Sequence, residues 1–146
     1  MRLSTYLESH SQLKQIQQTS IREVILEHKL LSRIGGLDTK SLLSLVDATI
    51  AAGMSPVLQW DILCTEQNFQ RCVALLNRLP ITNFHAIRVQ DLGAAEWIRV
   101  KHPELPLHLI AETGNHNLTG LQRWTKYFGQ QLQRLILSTE LPKPVL

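Results

Sequence analysis

Short runs of mostly aliphatic residues recur along the chain, and the stretches between them carry apolar residues at helical spacing. Six runs stand out, at positions 2–7, 22–26, 55–59, 85–89, 107–110 and 135–138. Several are nearly continuous in apolar character, the pattern of strands covered on both faces. Between them, 39–52 places Leu42, Leu43, Val46 and Ile50 on one helical face, and 66–79 does the same with Phe69, Cys72, Val73 and Leu76. Leu118, Leu121, Trp124 or Thr125, and Phe128 repeat that spacing, and 11–19 and 92–101 read as shorter helices. Asp38 and Asn117 suit helix N-caps, and Gly53 and Gly129 suit helix ends. Strand, helix, strand in repetition predicts an α/β fold of consecutive βα units with parallel strands, either doubly wound or curled into a barrel.

A chain of 146 residues supports one core, so 1–146 is expected to be a single domain with 141–146 as a loop-like tail. At 44% hydrophobic and 18% charged residues the composition is globular, which argues against long disordered segments. The longest apolar runs, such as 106–111, are far too short to span a bilayer, and the N-terminus lacks the apolar core of a signal peptide. A cytoplasmic location is expected. Cys64 and Cys72 match no metal or disulfide spacing and read as free thiols, with Cys72 in the core. The net charge of +3 is scattered along the chain, which gives little footprint for RNA.

In a parallel α/β fold, chemistry gathers where the strands end. Glu27, His28 and Arg33 follow the second run, Asp61 the third, Asp91 the fourth, and Glu112, His116 and Asn117 the fifth. Carboxylates, histidines and a guanidinium on one rim can bind a polar ligand or tune one another's protonation. These eight residues are therefore the ligand-binding candidates, although polar strand ends are also ordinary in such folds. His108, inside a run, reads as a packed core residue, and no residue set has metal-ligand spacing. Trp97 and Trp124 belong on helix faces, whereas Trp60, beside Asp61, is placed to touch a ligand. Gly-x-Ser-x-Gly, His-Glu-x-x-His, Walker and Gly-x-Gly-x-x-Gly motifs are all missing, and no catalytic nucleophile, base and orienting group can be assembled.

Several segments together resemble the N-terminal region of the collagenase-like peptidases, family U32. They are Val24-Ile25-Leu26 with Arg33 and the helix after Asp38, then 51–57, 89–94 and 101–108, and finally Leu135–Leu141 with Asn117 before it. Ala111-Glu112-Thr113 departs from the family's usual Ser-Thr-Gln, and Thr139 stands where arginine is usual. The family's glycine- and cysteine-rich signature, which carries the iron–sulfur ligands of some relatives, has no counterpart, so no cofactor is expected. The resemblance implies a partial TIM-like barrel of about six strands. It implies a truncated barrel protein, not catalytic alone, that contributes part of a ligand site at the C-terminal rim. The alternative is a stand-alone module that holds a protein partner, a second copy or RNA along its open barrel edge.

Overall fold

In a computed structural model, which describes residues 3–111 and 117–137, six strands alternate with five α-helices. The strands are β1 (Ser4–Tyr6), β2 (Glu23–Glu27), β3 (Ser55–Trp60), β4 (Ala86–Val89), β5 (Leu107–Ala111) and β6 (Leu132–Leu137). The helices are α1 (His10–Ile16), α2 (Thr39–Ala51), α3 (Glu66–Leu76), α4 (Leu92–Lys101) and α5 (Leu118–Phe128). All neighbouring strands pair in parallel, in the order β1-β2-β3-β4-β5-β6. The helices start on side-chain caps from Ser9, Asp38, Thr65, Asp91 and Asn117, each accepting from a backbone N–H three residues on. Gly53 and Gly129 turn the chain at positive φ, 69° and 55°, after α2 and α5.

Alternate residues along the strands face opposite sides. The outward set (Val24, Leu26, Leu58, Ile87, Val89, Leu107 and Leu109) joins Leu42, Val46, Leu76 and Ile98 of the helices in one buried apolar cluster. The inward set is mixed: Glu23, Ile25 and Glu27 on β2, Val57 and Gln59 on β3, Ala86 and Arg88 on β4, His108 and Ile110 on β5, and Arg134 on β6.

Two contacts establish that this inward face is concave. Arg134 of β6 donates to both carboxylate oxygens of Glu23 on β2, at 2.7 and 3.2 Å. In a flat sheet those strands would stand about 19 Å apart, beyond the reach of two side chains, so the sheet must curl. The Arg88 guanidinium of β4 likewise lies 5.9 Å from the Tyr6 ring of β1.

The register also gives the pitch of the curl. Following paired residues from Glu27 leads through Gln59, Arg88 and His108 to Arg134. Arg134 nevertheless meets Glu23, four residues before Glu27 on the same strand. A stagger of about one residue per strand is that of an eight-stranded barrel with a shear of 8, in which β2 and β6 face each other across the lumen. The sheet is a curled half-barrel, a partial TIM-like α/β fold.

Several local expectations are corrected. On α2 the buried stripe is Leu42, Leu45, Val46 and Thr49, while Ile50 is 46% exposed. The face is rotated because the helix seats on β2 and β3 with Thr49 inside, a polar residue that a purely apolar count passes over. On α3 Leu75 replaces Val73 in the buried set, and on α5 Leu118 is exposed while Leu121 and Phe128 are buried. The last strand starts at Leu132, not 135: Leu107 pairs with Leu132 and His108 with Arg134, so Gln133 is the extra residue of a β-bulge and the strand continues through the polar interruption of the apolar run. Position 138 of that predicted strand and the tail 141–146 lie outside the described residues.

Candidate functional site

The loop after β2 folds over the C-terminal rim and is tied down at both ends of its turn. Ser32 Oγ donates to Glu27 Oε1 at 2.6 Å, and the amides of Ile34 and Gly35 approach the same hydroxyl at 3.4 Å. Asp61, just beyond β3, accepts from the Arg33 backbone amide at 3.0 Å and from Arg33 Nε at 3.2 Å. Gln59 sits between the two carboxylates, its Nε2 donating to Glu27 Oε1 at 3.1 Å and Asp61 Oδ2 at 3.2 Å. Gly35 packs so tightly here that a Cβ would stand 2.5 Å from that of Glu27.

These residues border an open cleft of ≈ 320 Å³ that Tyr6, Glu8, Arg88 and Ile110 complete. Glu27, Gln59 and Asp61 are buried, whereas the Arg33 side chain is 55% exposed at the mouth. The cleft thus runs from an acidic, amide-lined rim down to a guanidinium resting on an aromatic ring. Beneath Arg88 lie His108 and the Glu23–Arg134 pair. Burial foremost, then the positive charge of Arg134, pushes the His108 imidazole down to about 4, so it is neutral near pH 7.

Of the residues expected at the rim, Glu27, Arg33 and Asp61 come together. His28 does not join them: the pleat turns it to the opposite side, where Nδ1 accepts from Leu30 N at 3.1 Å and Nε2 meets Thr39 Oγ1 at 3.2 Å. Its pKa is lowered, by burial first and by Lys29 second. Asp91 caps α4 through Ala94 N and accepts from Cys64 N at 3.1 Å, and Asn117 caps α5 through Gly120 N. Glu112 and His116 lie outside the described residues. Trp60 is corrected: it points outward, fully buried, with Phe69 stacked at 6.0 Å and Trp97 edge-on at 6.3 Å.

Tyr6, Gln59 and Arg88 line the cleft but do not follow a strand end, so strand-end position does not bring them out. The available signal was polar residues on one parity within apolar strands: Glu23, Glu27, Gln59, Arg88, His108 and Arg134 all fall on the inward face. Among the described residues no group of three or more His, Cys, Asp or Glu is arranged to hold a metal ion. No helix among them is long and apolar enough to cross a membrane.

The fold and cleft define a parallel α/β half-barrel whose polar site opens at the carboxyl ends of its strands. The family model of Peptidase family U32 matches residues 9–144, and the chain belongs to that family. No curated protein matches the chain.

Proposed function

We propose that this chain is a U32-family half-barrel that supplies one wall of a ligand site at its C-terminal rim and is not catalytic by itself. The observation that carries the reading is the cleft in which Glu27, Gln59, Asp61 and Arg33 are already oriented by one another. Groups held this way bind a polar ligand without reorganisation, the usual basis of a preorganised site. Activated nucleophiles are a different matter. The Ser32 hydroxyl beside Glu27 is the nearest candidate, but it is buried and its oxygen faces two backbone amides, an arrangement that anchors a turn. Both thiols have raised pKa values, burial being the main cause, and Cys72 is packed on the helix side of the sheet. Two free cysteines also suit a reducing, cytoplasmic setting.

Incubating the chain with gelatin and with a mixed peptide pool, followed by mass spectrometry of the products, tests this. No cleavage is expected. Turnover that disappears in Glu27→Gln or Asp61→Asn overturns it.

A second reading rests on the open edges. Among the described residues β1 pairs only with β2 and β6 only with β5, and β6 keeps Leu132, Leu135, Ile136 and Leu137 half-buried. Unpaired backbone beside apolar side chains is suited to a strand from a protein partner or a second copy. Light scattering across a concentration series should then show association that charged substitutions at Leu135 and Leu137 remove. Purely monomeric behaviour, or a salt-sensitive RNA complex instead, refutes that reading.

A further inference from the structure

Among the described residues the buried carboxylates that face the lumen, Glu23, Glu27 and Asp61, all have partners. Glu23 is paired with Arg134, Asp61 with Arg33, and Glu27 with Ser32 and Gln59. The half-buried Arg88 differs: among the described residues it makes no hydrogen bond or ion pair, its Nε is buried, and its one specific contact is the Tyr6 ring. Burying its Nε–H without an acceptor is costly, and the cation–π contact offsets only part of that cost. The neutral His108 beside it supplies no negative charge. On the two flanking strands, in the same register row, Gln59 Oε1 and His108 Nδ1 are also buried without partners. Gln59 and Arg88 line the open cleft and His108 lies in the same row beneath it, so the three orphaned polar atoms on adjacent strands mark a place where a polar group from outside belongs.

We propose that Arg88 anchors the oxyanion, a carboxylate or phosphate, of a small ligand whose other end presents a hydrogen-bond donor to Gln59 and the rim carboxylates. This deepens the rim-site reading and rests on it. A simple anion fits less well than an amphoteric molecule, because Glu27 and Asp61 border the same cleft and repel it. An amphoteric molecule satisfies both ends. Its oxyanion lies over Arg88, and its ammonium or hydroxyl lies toward Glu27, two paired strands away, about 10 Å between Cα positions.

Thermal shift and calorimetric titration of the chain at constant ionic strength, with acetate, inorganic phosphate and ethylamine as separate probes, test this. Saturable binding of acetate or phosphate is expected, and whichever binds more tightly distinguishes a carboxylate from a phosphate ligand. Arg88→Gln should weaken that binding about tenfold or more, and Arg88→Lys should retain part of it. Circular dichroism checks that both variants are folded, and removing a half-buried charge that has no ion-pair partner should not unfold the protein. Oxyanion binding unchanged in Arg88→Gln overturns the assignment. So does failure of both oxyanions while ethylamine binds in a manner that Glu27→Gln abolishes, an outcome that preserves the rim site. If no probe binds at all, the rim reading falls with it.

Discussion

Acidification should destabilise this protein through His108 well before its carboxylates protonate. The imidazole is 1% exposed and lies beside Arg134 and Arg88, with Glu23 giving only partial compensation. Its pKa falls from 6.5 to about 4 on folding. The unfolded chain therefore binds a proton at His108 that the folded chain refuses, and stability drops as pH falls through about 6.5 and levels off below about 4. The full shift corresponds to roughly 3 kcal/mol, of which about 2 kcal/mol is lost between about pH 7 and pH 5. With a urea slope of about 2 kcal/mol/M, the midpoint should move down by roughly 1 M. The assay is a pair of urea titrations at the two pH values, for the wild type and for His108→Gln. Buried His28, whose pKa is also lowered, contributes to both proteins and cancels in the comparison. An equal pH response in the two proteins, or an NMR titration placing His108 near 6.5, refutes the reasoning.

Other perturbations test separate parts of the structure. Gly35→Ala forces a methyl to within 2.5 Å of Glu27 Cβ and 2.7 Å of its carbonyl oxygen, so it should cost roughly 1–3 kcal/mol in a chemical melt; a neutral result would refute the tight packing of the rim loop. Arg134→Met leaves the Glu23 carboxylate buried and unpaired and should cost about 3 kcal/mol or more, whereas adding Glu23→Gln should recover much of it; simple additivity in the double variant would refute the cross-lumen pair. The Cys72 thiol, pushed up to about 11 chiefly by burial, should resist iodoacetamide in the native protein and react on unfolding, as read by peptide mass spectrometry; labelling at the rate of a free thiol would show that it is accessible.

The architecture was legible because the apolar runs and helical periods are themselves what build it. The outward faces of β2 to β5 and the inner faces of the helices that cover them must be apolar to form one cluster, and that requirement writes the βα repeat into the sequence. Helix rotation was less legible. A stripe can include Thr49 if its neighbours seat well, so counting only aliphatic residues shifted the predicted face of α2 by about one position. β6 was shortened for the same reason, since Gln133 and Arg134 look like a break when only apolar continuity is read.

The site was only half legible, and the reason lies in the pleat. Strand-end position brought out Glu27, Arg33 and Asp61, but it cannot tell a rim residue from a helix cap such as Asp91 or Asn117, or from a residue turned outward such as His28. Parity within the strand makes that distinction. Along β2 to β5 the outward positions cannot be charged without destroying the helix interface, so a charged residue inside one of these apolar strands has only the lumen to face. Gln59, Arg88, His108 and Arg134 therefore belong to one surface, and the register places them in one continuous row. That surface is not the apolar filling that gives a small barrel its packing energy. Burying it with Gln59 Oε1, Arg88 Nε and His108 Nδ1 all lacking partners works against stability, so the row is better suited to receiving a polar group than to closing the core.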